Sequence, residues 1–303
     1  MKNSLPVSES LADYEIERAV GSGACGMVYL AQDRRNGRPC ALKEFPTTRG
    51  ATHQLFREIS ALFSVEHPNI IRCLDFIHQT RSRRHYLVFE YADGGSLRDL
   101  LTQRGILTPQ ETLDILHQIV QGVEHAHARQ LVHCDLKPEN ILIHREAGRT
   151  LYKIADLGIA RHLSNLEDRR TSAGSPAYMA PEQFYGEATC ASDLYAIGII
   201  FFEMLAGHTP FEYSNERLWT AHLKETPDLS SIEHVACRDL IGHLLRKRPQ
   251  DRPHDASALF AALEALRAPE TAPPICAADG SSPRRLDAPR EVTPIRCREI
   301  PCG

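Results

Sequence analysis

Residues 133–140 read His-Cys-Asp-Leu-Lys-Pro-Glu-Asn, which puts a carboxylate (Asp135), an ammonium (Lys137) and an amide (Asn140) within six residues. A helical pattern precedes them. Thr108 suits an N-cap, Pro109 the first helical position, and Glu111 completes a capping box. Ile115, Ile119, Val123 and His127 then recur on one face. A strand-like run, Ile141–His144, follows. The three polar groups therefore sit in a turn between a helix and a strand, where they can converge on one point. Asp135 can take the proton of an attacking hydroxyl, Lys137 can neutralise charge on a phosphoryl group, and Asn140 is a neutral oxygen ligand suited to Mg²⁺. Asp156 opens Asp156-Leu157-Gly158, after the strand-like Tyr152–Ala155, and would be the carboxylate on the same metal. Any one such Asp alone could be no more than a cap or a turn residue.

The 303 residues fall into three zones. The runs Tyr14–Ala19, Met27–Gln32, Cys40–Phe45, Ile71–His78 and His85–Phe89 have strand character. One helical stretch near Thr52–Ser64, with Leu55, Phe56, Ile59, Leu62 and Phe63 at helical spacing, interrupts them. From Ser96 to about Arg267 helical periodicity takes over, broken by the strand-like Ile141–His144 and Leu151–Ile154 around a polar turn with Gly148. From residue 268 to Gly303 the chain is rich in Pro, Arg and Ala without apolar periodicity and reads as a disordered tail. The sequence thus predicts an α+β architecture in two lobes: a small antiparallel sheet with one main helix over about 14–90, and a mostly helical part over about 96–267. Residues 1–13 read as a lead.

The first lobe carries Gly21-Ser22-Gly23-Ala24-Cys25-Gly26-Met27-Val28. Glycines let a tight hairpin lie close over a phosphate chain. A dinucleotide fingerprint needs a helix after the turn, and here β-favouring residues follow. A Walker A loop needs Lys-Ser or Lys-Thr after the last glycine, and there is none. An ordinary Gly-rich hairpin remains the plain reading of this motif alone. Ala41 and Lys43 lie on the next strand. Lys43 is a cation in an apolar run, which is costly without a partner. Glu58, on the following helix, is the expected partner, leaving the ammonium able to hold the α- and β-phosphates of a nucleotide.

Composition narrows the field without deciding it. Hydrophobic residues make up 42% and charged residues 24%, an ordinary globular balance. Formal net charge is −4, which gives no electrostatic footprint for nucleic acid. No apolar run reaches transmembrane length, and Ala196–Phe202 reads as a buried helix. Met1–Ser10 lacks the basic start and apolar stretch of a secretory signal. Nine cysteines without framework spacing read as reduced thiols, and the expected compartment is the cytoplasm.

The glycine loop, Lys43, Glu58, Asp135, Asn140 and Asp156, in that order, resemble a Hanks-type serine/threonine protein kinase over Tyr14 to Arg267. Ala180-Pro181-Glu182, Asp193 and Arg252 extend the likeness, and the wording around Met179–Gln183 resembles bacterial members. The resemblance implies ATP with Mg²⁺ (or Mn²⁺), transfer of the γ-phosphoryl to Ser or Thr hydroxyls of protein substrates, and autophosphorylation. It implies that Phe89 guards the pocket, that Glu90, Tyr91 and Ala92 form the hinge facing adenine, and that Val28, Ala41 and Leu142 sandwich the ring. It pairs Glu182 with Arg252, has Asp193 brace the catalytic turn, and puts the Ser175 hydroxyl between Asp135 and Lys137.

Three departures stand out. Cys134 replaces the arginine that receives a phosphate from the activation loop, so control through Thr171 or Ser172 is expected to be weak. Leu157 replaces a phenylalanine. The interval from Asn140 to Asp156 suggests an extended turn over His144–Thr150. Two rival functions are a catalytically silent scaffold and a small-molecule kinase. Competent residues at every catalytic position argue against the first, and the Gly174–Glu182 stretch against the second. His125, His127 and His133 do not share the spacing of a metal site, and Cys276, Cys297 and Cys302 lack a zinc-finger pair.

Overall fold

The computed structural model describes residues 7–8, 11–23, 26–46, 59–60, 62–79, 84–157 and 175–268. Six strands form the first sheet: β1 (Val7–Ser8), β2 (Tyr14–Gly23), β3 (Gly26–Asp33), β4 (Arg38–Pro46), β5 (Cys73–Gln79) and β6 (Arg84–Glu90), in the order β1-β5-β6-β4-β3-β2. All pairings are antiparallel except that of β1, which runs parallel to β5 with Val7 opposite Phe76. The residues read as a lead thus begin the sheet. Two paired residues leave no periodicity for a sequence to show.

Alternation along β6 builds two cores from one strand. Tyr86 and Val88 join Tyr14, Ala31, Cys40, Leu42 and Ile77 on one face. Leu87 and Phe89 join Phe76, Ile59 and Leu62 on the other. Ile59, Ser60, Leu62 and Phe63 are helical, so the expected helix lies against the inner face; its residues 52–58 and 61 fall outside the described chain. The outer core is closed by polar ties: the Tyr14 hydroxyl donates to buried Asp75 at 2.8 Å, and Arg35 Nε donates to Asp33 at 2.9 Å.

Among the described residues six helices follow: α1 (Leu97–Arg104), α2 (Pro109–His127), α3 (Cys190–Ala206), α4 (Asn215–Lys224), α5 (Val235–Leu244) and α6 (Ala256–Arg267). Both predicted features of the Thr108 cap are present, with Thr108 and Glu111 in a reciprocal capping box. Every residue of α3 from Ser192 to Leu205 is buried, which makes it the central post of this lobe. Gly198 lets the post approach α5, since a Cβ there would lie 2.7 Å from the Leu244 Cβ. No helix among the described residues is long and apolar enough to cross a membrane.

Between α2 and α3 lies a hairpin of β7 (Ile141–Glu146) and β8 (Arg149–Ile154). The extended turn expected over His144–Thr150 is not there. Strand pairing continues to Glu146 opposite Arg149, and only Ala147 and Gly148 turn, with φ of 48° and 79°. Two left-handed residues match the twist of the flanking strands, which is why so short a connection suffices.

Candidate active site

The first half of the site hangs from the sheet. Gly21 pairs with Val28 and Gly23 with Gly26, so the glycine motif joins two strands as its composition implied. The backbone of Ser22 belongs to β2, while Ala24 and Cys25 lie outside the described residues. Val28 is opposite Lys43, and Ala41 opposite Phe89. Ala41 and Lys43 are two apart on β4 and so share a face. Val28, Ala41, Ala92 and Leu142 are all half-buried.

Lys43 reaches into the second half of the site. Its Nζ lies 2.6 Å from Asp156 Oδ1, with the lysine side chain 11% exposed and the aspartate 40%. The expected partner, Glu58, lies outside the described residues. Asp156 adopts a left-handed backbone, φ 59°. For a residue with a Cβ this costs about 1–3 kcal/mol and persists only where neighbours hold it. The neighbours are hydrogen-bonded: Ala155 N–H donates to Asn140 O at 2.8 Å, and His133 Nε2–H donates to Ala155 O at 2.8 Å.

The polar turn of residues 133–140 forms one network. Lys137 Nζ donates to Asp135 Oδ2 and to Ser175 Oγ, each at 2.8 Å. Ser175 N–H donates to Asp135 Oδ1 at 2.9 Å. Asn140 Nδ2 donates to Asp135 O at 2.8 Å. The resemblance implies a Ser175 hydroxyl shared between Asp135 and Lys137. The structure divides that task, giving the hydroxyl to Lys137 and the peptide N–H to Asp135.

Beneath the turn, buried Asp193 at the start of α3 accepts three hydrogen bonds. His133 N–H reaches Oδ2 and Cys134 N–H reaches Oδ1, both at 2.9 Å, and His127 Nε2–H reaches Oδ2 at 2.8 Å. Beside it, Glu182 and Arg252 form a two-pronged pair at 2.7 and 2.8 Å, with Ser192 Oγ adding 2.7 Å. Burial works against the Glu182 charge. The bonds and charge of Arg252 outweigh it and hold the carboxyl below its usual range.

Several site-forming contacts had no sequence signal. The Glu90 carboxylate is already engaged: Lys153 Nζ donates to it at 2.8 Å and Arg72 N–H at 2.9 Å. Arg98 on α1 donates to Glu139 at 2.7 Å, to Glu203 at 2.6 Å and to the Tyr178 hydroxyl, which itself donates to Glu203 at 2.6 Å. Gln183 Nε2 donates to Cys134 O at 2.8 Å. The His125 ring lies 4.9 Å from that of His67, tilted by 35°.

Asn140 and Asp156 suit a divalent cation by their chemistry. Both offer hard oxygens, and no hydrogen bond among the described residues engages Asn140 Oδ1 or Asp156 Oδ2.

Residues 14–264 match the protein kinase domain family. The chain is 38% identical to serine/threonine-protein kinase PrkC of Bacillus subtilis over 206 residues, 66% of this chain and 31% of that protein. It is 31% identical to the serine/threonine-protein kinase PknA of Corynebacterium glutamicum over 91% of this chain and 62% of that one. It is 32% identical to Aurora kinase B of Danio rerio over 89% of this chain and 84% of that one. The chain thus spans about a third of the PrkC relative and about three-fifths of the PknA relative. With a match covering β2 to β6, the polar turn and α3 alike, the chain belongs to the protein kinase domain family.

Proposed function

We propose that this chain transfers the γ-phosphoryl of ATP to Ser or Thr hydroxyls of protein substrates, its own included, with residues 14–267 as the kinase domain. The observation that carries the reading is the turn in which Lys137 bonds both Asp135 and Ser175 at 2.8 Å. An incoming hydroxyl at Asp135 would meet a carboxylate already oriented on both oxygens, beside an ammonium able to face the γ-phosphoryl. The hydroxyl oxygen forms the new bond to phosphorus while the bond to the ADP oxygen breaks, and the hydroxyl proton passes to Asp135. Catalysis is then positioning plus charge neutralisation.

Gly21, Ser22, Gly23, Ala24, Cys25 and Gly26 would cover the phosphates, and Lys43, steadied by Glu58, would hold them. Val28, Ala41 and Leu142 would enclose the adenine. Glu90 would contribute through its main chain, since its carboxylate is committed to Lys153, and Ala92 would do the same beside it. Asn140 and Asp156 would hold Mg²⁺ or Mn²⁺, which when bound draws negative charge from the phosphates. Cys40, Cys73, Cys190 and Cys237 are free thiols, in keeping with a cytoplasmic setting. A net charge of −4 supports protein rather than nucleic acid as partner.

The test is incubation with ATP labelled on the γ-phosphate and a generic protein substrate, followed by phosphoamino-acid analysis. Label on serine and threonine is expected. Label on no protein, with wild-type nucleotide binding, would favour the scaffold reading, and label on small alcohols alone the small-molecule one.

A further inference from the structure

We infer that Gln183 is a positioning residue: its side-chain amide fixes the left-handed peptide of Cys134 and so aims Asp135. The inference rests on the phosphoryl-transfer reading.

Cys134 has φ 69°, in the region that favours glycine. Such a conformation costs about 1–3 kcal/mol and must be imposed from outside. Both polar groups of the residue are pinned. Its N–H donates to Asp193 Oδ1 at 2.9 Å, and its carbonyl accepts from Gln183 Nε2 at 2.8 Å. The next residue is Asp135, so any rotation of the Cys134 peptide swings the carboxylate that receives the proton.

The amide of Gln183 is held at its other end as well. Gln183 Oε1 accepts from Ala180 N–H at 2.9 Å, and Gln183 N–H donates to Ala180 O at 3.0 Å. This leaves one orientation of the amide, because a peptide N–H needs the oxygen and a carbonyl needs the nitrogen. Gln183 is 5% exposed, so water cannot substitute for either contact. Its backbone neighbour Glu182 is locked to Arg252. Residues 175–183 therefore grip the catalytic turn through two residues, at Asp135 and Lys137 through Ser175 and at Cys134 through Gln183.

The second grip suits this chain in particular. The residue-134 side chain is a thiol that donates weakly to Val132 O at 3.5 Å and carries no positive charge. The folded segment after the activation loop reaches residue 134 through its carbonyl instead, and a neutral amide does so without a phosphate.

The experiment compares wild type with Gln183→Glu and Gln183→Met in the full chain. It measures melting temperature, and kcat and KM for ATP from pH 6 to 8. At pH 8 both variants should keep a KM for ATP near wild type, because the Gln183 side chain bonds to Ala180 and Cys134 and to none of the residues assigned to the nucleotide. Both should lose about tenfold in kcat, the size expected for one buried hydrogen bond left unmade. At pH 8 the introduced carboxylate faces the Cys134 carbonyl with no proton to offer. Once protonated, it carries an O–H and a C=O where the amide had its donor and acceptor. The titratable and charged groups around this peptide are His127, His133, Asp193, Asp135, Lys137 and the Glu182–Arg252 pair. All are shared with wild type, so their titration cancels in the variant-to-wild-type ratio. That ratio should rise toward pH 6 for Gln183→Glu and stay flat for Gln183→Met. Wild-type kcat in either folded variant at pH 8, a loss confined to KM, or a Gln183→Glu deficit that pH leaves unchanged would overturn the inference. An inactive wild type would instead remove the phosphoryl-transfer reading, and the inference with it.

Discussion

Lys43 on β4 and Asp156 after β8 meet across the two lobes at 2.6 Å. One residue comes from the sheet and the other follows the β7–β8 hairpin, so their ion pair ties these two parts together. The lysine is nearly enclosed and the aspartate is half-exposed. In the proposed reaction both exchange partners, Lys43 for phosphate oxygens and Asp156 for the metal.

Lys43→Met should abolish phosphoryl transfer while leaving the fold in place. The aspartate it abandons is open enough to be hydrated, so the penalty for an unpaired buried charge is largely avoided. Circular dichroism and melting should match wild type closely, and label transfer should fall to background. Near-normal activity would show that another cation holds the phosphates.

Asn140 and Asp156 offer hard oxygen donors, which sets a metal preference. Activity should require Mg²⁺ or Mn²⁺ and fail with Zn²⁺ or Ca²⁺. Full turnover in excess chelator would contradict the assignment of these two residues.

Ser175→Ala and the double change Thr171→Ala/Ser172→Ala should separate two kinds of control. The serine hydroxyl is one of two partners of the Lys137 ammonium, and the Ser175 N–H to Asp135 survives the change. Loss of one charge-assisted bond predicts a fall in kcat of about tenfold to a hundredfold. Thr171 and Ser172 lie outside the described residues. With a thiol at 134, a phosphate there has little to dock on, so the double variant should keep a substantial share of activity. Side-by-side rates on one protein substrate decide it. A dead double variant beside a healthy Ser175→Ala would reverse the argument from Cys134.

The Glu182–Arg252 pair should govern acid stability of the helical part. The folded carboxyl titrates below its unfolded value. Its stabilising contribution is therefore complete above the unfolded pKa and is lost as pH falls through the folded one. Glu182→Gln leaves the Arg252 charge buried without its partner and should destabilise by about 3–5 kcal/mol at neutral pH. Melting curves from pH 7 down to 3 should show the variant less stable at pH 7, with a shallower decline into acid than wild type. Parallel declines would mean that other carboxylates dominate.

The parts of the site carried by contiguous residues could be read directly. Asp135, Lys137 and Asn140 share one turn, and its flanks carry strong helix and strand signals. The same holds for the α2 cap at Thr108. What could not be read depends on pairs brought together by the fold. Gln183 is neutral and follows no period, so nothing in the sequence points from it to the Cys134 carbonyl. Arg98 and Glu203 are 105 residues apart in the sequence and meet only in the fold. The hinge carboxylate of Glu90 looks available until Lys153 is placed beside it. The interval from Asn140 to Asp156 suggests a long turn, but strand pairing out to Glu146 opposite Arg149 takes up the extra length and leaves only Ala147 and Gly148 to turn. Charged residues at the end of a hairpin look like loop in composition, although their backbones pair.

The most direct test of the account is the Asp135→Asn variant under saturating ATP, metal and protein substrate. Asparagine fills the same space and can still accept a hydrogen bond from the Ser175 N–H, but it cannot take the proton of the attacking hydroxyl. Nucleotide affinity, measured by titration calorimetry, should stay within about threefold of wild type. The rate of label transfer should fall by about a hundredfold or more, the usual worth of a positioned proton acceptor. A variant that binds nucleotide normally and phosphorylates protein at the wild-type rate would contradict the account.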